Sequence, residues 1–286
     1  MMTDNIQRQI APTSTIPANA TIGPFCVIGE NVVLGENVVL GVGCVLGDGA
    51  RVGAGSVLGN YVSIGAGGRI GARTKIGNHT TIYLQVELGE DGFIGSNSSI
   101  GRLPKAAATS TVKAQADLPP LRMGNGFTVG CSAVLYAGTS YAEAAFIGDG
   151  AVVRERCSIG QNVVIGSGVA VENDTKIGSF TKIQTGSYIT AYMEIGERVF
   201  IAPMVTTTND NFMGRTEKRF KSIKGPTIQR GARIGGGVIL LPGINVAPET
   251  FVAAGALVTK DTTEKRVLKG FPAKEVREVP EEELLQ

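Results

Sequence analysis

An aliphatic residue recurs at every sixth position of the sequence from Ile16 to Ile100 without interruption. Glycine often follows it, as in Ile28-Gly29. An even period is compatible with the alternation of a β-strand and incompatible with the period of an α-helix. A fixed six-residue repeat is typical of a parallel β-helix, in which three hexads form one triangular coil. We therefore expect the ladder residues to point inward and stack, each contributing roughly 1.5–3 kcal/mol by burial.

The ladder occurs in three runs, separated by irregular segments at residues 101–126 and 208–227. Together the runs contain 34 hexads, which predicts about 11 coils. We predict an all-β solenoid that consists of one parallel β-helix over residues 16–260. Both irregular segments are interpreted as inserted loops, because the repeat resumes after each of them. The ladder positions are Ile16, Ile22, Ile28, Leu34, Leu40, Leu46, Val52, Leu58, Ile64, Ile70, Ile76, Ile82, Leu88, Ile94, Ile100; Val129, Leu135, Tyr141, Ile147, Val153, Ile159, Ile165, Val171, Ile177, Ile183, Ile189, Ile195, Ile201; and Ile228, Ile234, Leu240, Val246, Val252, Val258.

The two ends of the chain lack the repeat. Residues 1–15 are interpreted as a lead-in, and residues 261–286 as a C-terminal tail. Within the tail, the charged segment from Glu275 to Leu285 is predicted to form a short helix that covers the last coil. An uncovered coil would expose a strand edge that favours aggregation.

The composition fits thin stacked layers rather than one globular core, because 286 residues include 40 glycines and no tryptophan. The net charge of +2 gives no indication of nucleic acid or membrane binding. The sequence contains no apolar run of 18 residues and no signal-peptide core at its N-terminus, so a cytoplasmic protein is expected. Cys26, Cys44 and Cys157 each lie two residues before a ladder position and are predicted to be buried, reduced thiols.

The repeat resembles that of the bacterial hexapeptide-repeat acyltransferases, which fold as left-handed parallel β-helices. The last third is similar to sugar N-acetyltransferases that acetylate nucleotide-linked amino sugars. Phe271 stands where that family commonly has asparagine, and the backbone turn at this position is still expected. The matching segments are Phe200–Asp210, Gly225–Ile228, Arg230–Gly237, Ala254–Asp261 and Gly270–Lys274.

The resemblance implies acetyl-CoA as acyl donor and no metal. In that family, acetyl-CoA lies in the groove between two subunits of a homotrimer, where small residues let the pantetheine approach the backbone. The implied cofactor-binding residues are Gly236, Gly237, Ala254 and Gly255 along the pantetheine, and Lys260, Lys269 and Lys274 for the nucleotide phosphates.

The resemblance also places the chemistry at Asn209 and Asp210, the expected catalytic residues. The only histidine, His79, is about six coils from Ile201 in the predicted β-helix, or ~28 Å at the spacing of β-strands. A general base must come within about 3 Å of the proton that it removes. A mechanism without a histidine base is therefore expected, in which the amine is itself the nucleophile. An Asn-Asp pair that only caps the turn at the start of the loop is the structural alternative.

The second loop carries a cluster of basic residues, which suits the diphosphate of a nucleotide-linked amino sugar. Arg215, Arg219 and Lys221 are the expected substrate-binding residues. A solvated charged loop is the alternative interpretation of the same cluster.

One class of function is excluded and two others stay open. A carbonic anhydrase of this fold needs three histidines to bind zinc, and the sequence has one. The leading hypothesis is an acetyl-CoA-dependent N-acetyltransferase for a dTDP- or UDP-linked amino-deoxy sugar. The alternatives are an O-acyltransferase that uses His79 and a β-helical scaffold without catalysis.

Overall fold

The structure, a computed structural model, describes residues 7–108 and 117–285. The chain divides into two compact units, unit 1 (residues 1–144) and unit 2 (residues 145–286). Residues 1–6 of the predicted lead-in, residues 109–116 of the predicted first loop and residue 286 lie outside the described part.

Within each unit, very short strands follow one another in rotation through three parallel sheets, here called A, B and C. In unit 1, sheet A has the order β1-β3-β6-β9-β12-β15-β18, sheet B β4-β7-β10-β13-β16-β19 and sheet C β2-β5-β8-β11-β14-β17. The strands are β1 (Gln9–Ile10), β2 (Thr21–Ile22), β3 (Val27–Ile28), β4 (Val33–Leu34), β5 (Val39–Leu40), β6 (Val45–Leu46), β7 (Arg51–Val52), β8 (Val57–Leu58), β9 (Ser63–Ile64), β10 (Arg69–Ile70), β11 (Lys75–Ile76), β12 (Thr81–Ile82), β13 (Glu87–Leu88), β14 (Phe93–Ile94), β15 (Ser99–Arg102), β16 (Arg122–Met123), β17 (Thr128–Val129), β18 (Val134–Tyr136) and β19 (Ser140–Tyr141).

Unit 2 repeats this arrangement. Sheet A has the order β21-β24-β27-β30-β33-β36, sheet B β22-β25-β28-β31-β34 and sheet C β20-β23-β26-β29-β32-β35-β37-β38. The strands are β20 (Phe146–Ile147), β21 (Val152–Val153), β22 (Ser158–Ile159), β23 (Val164–Ile165), β24 (Ala170–Val171), β25 (Lys176–Ile177), β26 (Lys182–Ile183), β27 (Tyr188–Ile189), β28 (Glu194–Ile195), β29 (Phe200–Ile201), β30 (Thr206–Thr207), β31 (Thr227–Ile228), β32 (Arg233–Ile234), β33 (Ile239–Leu240), β34 (Asn245–Val246), β35 (Phe251–Val252), β36 (Leu257–Val258), β37 (Arg266–Lys269) and β38 (Lys274–Glu278).

Apart from the C-terminal hairpin, the strands within each unit pair in parallel with the strand one coil further along, so that Ile28 aligns with Leu46 and Leu46 with Ile64. The ladder residues therefore stack in the core, as the sequence predicts. The smaller inward position two residues earlier is also fully buried, as at Cys44 and Ser56. Burial raises the pKa of the Cys44 thiol to about 11, which keeps it protonated.

The glycine after a ladder residue has a steric cause. A Cβ atom at Gly160 would lie 2.6 Å from the backbone nitrogen of Ser179 in the next coil. The chain turns so tightly at these corners that a side chain at this position would collide with its neighbour. The following corner residues adopt left-handed conformations, as at Asn31 and Asn37, which asparagine and glycine tolerate best.

The β-helix has more rungs than the sequence predicts. Ile10, Met123, Thr207 and Leu268 all occupy ladder positions in strands, so the prediction of about 11 coils is slightly low. Met123 lies inside the segment 101–126 that was predicted to be a loop. Thr207 was missed because it is not aliphatic, although its side chain is fully buried.

The predicted C-terminal helix is wrong. The tail instead forms an antiparallel hairpin of β37 and β38, followed by a 3-10 turn at Glu281–Glu283. The reason is the exposed edge of sheet C, which β37 extends and β38 then covers. Arg233 forms a 2.8 Å ion pair with Glu283, which holds the end of the tail against unit 2. Among the described residues, no helix has the length and apolar character needed to cross a membrane.

Candidate functional site

The second loop leaves unit 2 between β30 and β31, at the corner between sheets A and B. The backbone N–H of Lys224 donates to the carbonyl oxygen of Asn209 at 3.0 Å and closes the base of the loop. The carboxylate of Asp210 accepts hydrogen bonds from the N–H of Phe212 at 2.8 Å and of Gly214 at 2.9 Å. The loop therefore starts from a fixed turn, and Asn209 lies at its origin.

Arg219 completes the anchoring of this turn. Its Nε lies 3.0 Å from Oδ2 of Asp210, and the two side chains are only 19% and 14% exposed. Desolvation raises the pKa of Asp210, but the N–H groups of Phe212 and Gly214 and the charge of Arg219 outweigh it and hold the pKa below its usual value. Both oxygens of Asp210 are thus engaged, and the carboxylate is a weak proton acceptor. Arg215 and Lys221 remain exposed on the loop, whereas Arg219 is committed to Asp210.

Asn209 retains a nearly unengaged amide group. Its Nδ2 donates only a long hydrogen bond, 3.4 Å, to the carbonyl oxygen of Ala191 one coil earlier. The preceding Thr208 donates to the carbonyl oxygen of Leu240 at 3.1 Å, which fixes the backbone on the other side. The amide of Asn209 is therefore positioned by its backbone and available to a ligand.

The corner below this loop carries a row of polar side chains, here called the polar edge: residues 154–156, 172–174, 190–192 and 208–210. Its members stack at intervals of one coil, since the N–H of Asp174 donates to the carbonyl oxygen of Glu155 at 3.2 Å, and Tyr192 to Asn173 at 3.2 Å. At this edge the ladder residues are followed by Arg154, Glu172, Thr190 and Thr208. At the other corners of unit 2, glycine often follows instead: Gly148, Gly160, Gly166, Gly178, Gly196 and Gly235.

Two carboxylates on the polar edge share one arginine. Nε of Arg154 lies 2.9 Å from Oε2 of Glu155, and Nη2 lies 3.1 Å from Oε1. Nη1 reaches Oε2 of Glu172 at 3.5 Å. The side chain of Glu155 is only 6% exposed. Burial raises the pKa of Glu172, the charge of Glu155 raises it further, and the charge of Arg154 only partly offsets both.

A second ion pair on the same edge is fully matched. Arg156 donates two hydrogen bonds to Asp174, at 2.7 and 2.6 Å, and the side-chain amide of Asn173 donates to the same carboxylate. Desolvation raises the pKa of Asp174, but these hydrogen bonds outweigh it and lower the pKa overall. This pair joins two adjacent coils, and its positive and negative charges balance each other.

Asp174→Asn is expected to lower the free energy of unfolding by about 2 kcal/mol at pH 7, because two charge-assisted hydrogen bonds are lost. A depressed carboxyl pKa stabilises the fold above the unfolded pKa, and this stabilisation is lost as the pH falls through the folded pKa. The difference between variant and wild type at pH 7 should therefore shrink in acid and vanish at a pH below the lowered folded pKa of Asp174. Urea titrations at both pH values measure it. Asp91→Asn is the control, because its pair with Arg73 is exposed and should contribute much less.

The four small residues expected to contact pantetheine lie at one corner of unit 2, between sheets C and A. The N–H of Gly255 donates to the carbonyl oxygen of Gly236 at 2.9 Å. Gly237 and Gly255 have positive φ, which by itself favours glycine. Gly236 does not, and a Cβ there would meet only the carbonyl oxygen of Pro203 at 3.4 Å. The described fold gives no reason for glycine at this position, and a contact with pantetheine there stays a prediction.

Gly236→Ala is expected to weaken acetyl-CoA binding about tenfold, or roughly 1.4 kcal/mol, without changing stability. The added methyl group would project into the space that the ligand occupies. Isothermal titration with acetyl-CoA and a thermal melt measure the two quantities. Ser167→Ala is the matched control, because Ser167 occupies the same corner position between two glycines. Unchanged affinity in Gly236→Ala would remove Gly236 from the binding site.

The structure brings two of the three expected phosphate-binding lysines together. Lys269 and Lys274 are aligned partners at the turn of the C-terminal hairpin, and both are exposed. Phe271 lies between them in the turn and is 71% exposed. Lys260 follows β36, outside the hairpin, and is also exposed.

His79 lies at a corner of unit 1 with positive φ. Its ring stacks on that of Tyr61, with centroids 5.2 Å apart and planes inclined by 10°. The histidine therefore has a packing partner in the fold.

A family model described as bacterial transferase hexapeptide (six repeats) matches residues 9–42. The chain carries the bacterial transferase hexapeptide repeat. This repeat implies that the β-helix seen here is left-handed. The match lies at the beginning of unit 1, and the same six-residue period continues through the strands of unit 2.

Curated relatives of this hexapeptide chain are named as acetyltransferases. A Saccharomyces cerevisiae protein provisionally named an acetyltransferase is 33% identical over 96 residues, which is 32% of this chain and 49% of that protein. The serine acetyltransferase of Buchnera aphidicola is 35% identical over 85 residues, or 30% of this chain and 31% of the enzyme. The galactoside O-acetyltransferase of Escherichia coli is 33% identical over 88 residues, or 30% and 43%. The chain thus spans half or less of the length of these relatives.

Sequence reasoning missed most of the polar edge. Arg154, Glu155, Glu172 and Asp174 match no motif and lie far from the loop in sequence. One signal was available: no ladder residue of sheet A in unit 2 is followed by glycine, whereas glycine follows six of those in sheets B and C. A corner that repeatedly carries a side chain, where glycine is common at the other corners, indicates that this corner has a different role.

Proposed function

We propose that this chain is an acetyl-CoA-dependent acetyltransferase that acetylates the amino group of a dTDP- or UDP-linked amino-deoxy sugar. The hexapeptide repeat and the relatives named as acetyltransferases support acetyl transfer. The observation that carries the proposal is the polar edge of unit 2, which ends at the unengaged amide of Asn209 beneath a loop of exposed cations. That segment is also the one whose sequence resembles the nucleotide-sugar N-acetyltransferases.

One set of residues is proposed to bind the acetyl donor, and another set is proposed to bind the acceptor. Acetyl-CoA lies along the corner at Gly236 and Ala254, where Lys269 and Lys274 attract its phosphates. Its thioester end reaches the polar edge of a neighbouring subunit across the groove of the proposed homotrimer. Arg215 and Lys221 bind the diphosphate of the acceptor, since guanidinium and ammonium groups suit phosphate oxygens. The amide of Asn209 orients the acceptor sugar for attack on the thioester carbonyl.

A homotrimer is part of the proposal. In unit 2, sheets A and C carry apolar residues on their outer faces, including Phe146, Phe200, Phe251 and Ile239. Sheet B instead carries polar ones: Ser158, Lys176, Glu194, Thr227 and Asn245. Apolar residues on the outer faces of two sheets suit packing against neighbouring subunits in a closed threefold assembly.

The proposal is tested by incubating the protein with acetyl-CoA and a panel of dTDP- and UDP-linked amino sugars. Release of the CoA thiol, measured with a thiol reagent, is expected with at least one amino sugar. The matched N-acetylated sugar is the control and should release none. Acylation of alcohols with no amino sugar accepted would contradict the proposal.

O-Acetyl transfer is the second candidate, because two curated relatives are a serine acetyltransferase and a galactoside O-acetyltransferase. A hydroxyl acceptor needs a base, and His79 is the histidine available. His79→Ala should leave activity unchanged if the acceptor is an amine, and abolish it if this second candidate is correct. A scaffold without catalysis would show no saturable thermal stabilisation by acetyl-CoA.

A further inference from the structure

The polar edge contains an uncompensated negative charge. Arg154 contacts both Glu155 and Glu172, so one positive charge faces two negative ones. Arg156 cannot supply the missing charge, because Asp174 engages it with two hydrogen bonds. When these five side chains are ionised, their three carboxylates exceed their two guanidinium groups by one negative charge.

The position of the two carboxylates decides which of them is available. Glu155 is almost fully buried and accepts two hydrogen bonds from Arg154, so it acts as the permanent partner of the arginine. Glu172 is about one quarter exposed and reaches Arg154 only at 3.5 Å. Glu172 can therefore face an incoming ligand while Arg154 and Glu155 hold it in place.

Tyr188 lies in the next coil beside Glu172. Its ring projects from the outer face of sheet A and is 40% exposed. Burial and the charge of Glu172 raise the pKa of Tyr188, while the side chain of Thr190 and the charge of Arg154 lower it in part. A mostly buried carboxylate near an aromatic ring is a setting that attracts an organic ammonium group.

We propose that Glu172, held by Arg154 and flanked by Tyr188, receives the protonated amine of the acceptor and removes its proton. The inference rests on the proposed function. It makes Glu172 the proton acceptor, because the lowered pKa of Asp210 makes that carboxylate a weak one. The ligand proposed for this site is a primary ammonium group. It also explains why unit 2 keeps a half-buried carboxylate without a full positive partner.

The step balances as follows. The acceptor ammonium gives one proton to the carboxylate of Glu172 and becomes a neutral amine. The nitrogen lone pair attacks the thioester carbonyl carbon, a C–N bond forms, and the C–S bond then breaks. The second proton of the nitrogen passes to the departing sulfur, which leaves as the CoA thiol. Glu172 returns its proton to water and is ready for the next acceptor.

The arrangement fixes the direction of the acceptor. Asn209 lies two coils beyond Asn173, the neighbour of Glu172, or about 10 Å along the edge. An acceptor whose amine sits at Glu172 therefore extends past Thr190 toward Asn209. Its diphosphate then points to Arg215 and Lys221 on the loop. The sugar and the nucleotide lie lengthwise on one corner of unit 2.

Glu172→Gln tests the proton transfer. With a UDP-linked amino sugar that wild type accepts, kcat/KM is expected to fall about 100-fold at pH 7, within the range of a lost general base. The loss should lie mainly in kcat, and stabilisation by acetyl-CoA should be unchanged. Wild-type kcat/KM should fall below the pKa of Glu172, and the variant should lack this acid limb. Glu194→Gln is the control, because Glu194 is an exposed carboxylate of the same unit, paired with Lys176.

The substitution Glu172→Gln is not expected to destabilise the fold, so a loss of activity can be assigned to the missing carboxylate. The pKa of Glu172 is raised in the folded state, chiefly by burial. Any stabilisation from this group is therefore present at low pH and is lost as the pH rises through the folded pKa. Glu172→Gln should melt at the same temperature as wild type at pH 7, or at a higher one. A lower melting temperature would show that the carboxylate serves packing instead.

A binding measurement separates this inference from the proposed function. D-Glucosamine at millimolar concentration should raise the melting temperature of wild type but not of Glu172→Gln, and neutral N-acetyl-D-glucosamine should raise neither. If no amino sugar is acetylated but glucosamine binding depends on Glu172, the proposed function fails and the ammonium site stands. If wild type is active and Glu172→Gln keeps activity within about twofold, the ammonium site is wrong and the proposed function stands.

Discussion

Asn209→Ala is expected to lower kcat/KM for acetyl transfer by about 100-fold while acetyl-CoA binding stays near that of wild type. A loss of this size follows when a group that orients the reacting molecules is removed and the acceptor is misplaced by about 1 Å. The amide of Asn209 is suited to this because its hydrogen bond to Ala191 is long and its backbone is fixed by Lys224. Steady-state kinetics with a UDP-linked amino sugar measure the change.

The control is Asn211→Ala, which removes an exposed amide two residues further along the same loop. It should leave kcat/KM within about twofold, as surface substitutions away from a site usually do. Equal losses in both variants would show that the loop as a whole, and not the amide of Asn209, supports activity. Full activity of Asn209→Ala would remove this residue from the site.

Ile195→Ala is expected to lower the free energy of unfolding by about 2–5 kcal/mol. Ile195 lies on the inner side of β28, is almost fully buried and stacks between Ile177 and Ile228. Removing its branched side chain loses buried apolar contacts and leaves a cavity, because stacked coils on both sides limit relaxation. Chemical denaturation followed by circular dichroism measures the difference.

The neighbouring residue supplies the control. Glu194 belongs to the same strand but faces solvent, and its ion pair with Lys176 is exposed. Glu194→Ala should change the free energy of unfolding by roughly 1 kcal/mol or less. Similar effects in the two variants would contradict the inward and outward alternation of the ladder.

The ladder was predictable because one constraint dominates it. Each coil offers inner positions with no alternative to burial, so Leu46 and Ile64 are recognisable from spacing alone. The same constraint predicted buried thiols at Cys26 and Cys44, which the structure confirms. Thr207 escaped notice because a buried rung can be polar when its hydroxyl has a partner, here the carbonyl oxygen of Tyr188 at 3.0 Å.

The C-terminal tail shows where local pattern is insufficient. The segment from Glu275 is charged and has apolar residues at Val276 and Val279, a spacing that suits one face of a helix. Its conformation is decided instead by the open edge of sheet C, which β38 covers through pairing with β37. Only Val279 becomes buried, and no helical face forms. A tertiary contact overrides the local preference.

The candidate site was only half accessible to sequence reasoning. Asn209 and Gly236 were found through resemblance, and their roles are still predictions. Asp210 was expected to act in catalysis, but its hydrogen bonds to Phe212 and Gly214 give it an anchoring role that spacing alone does not reveal. Glu172 depends on a neighbour 18 residues earlier, Arg154, and on burial by the next coil. Such a site becomes visible only when the coils are stacked.

The central claim is that the polar edge of unit 2 holds the acceptor, and a crystal structure with CoA and a UDP-linked amino sugar tests it most directly. The amino group is expected within hydrogen-bond distance of Glu172, with the diphosphate beside Arg215 and Lys221. Density for the sugar at any other corner, with the polar edge unoccupied, would contradict the claim.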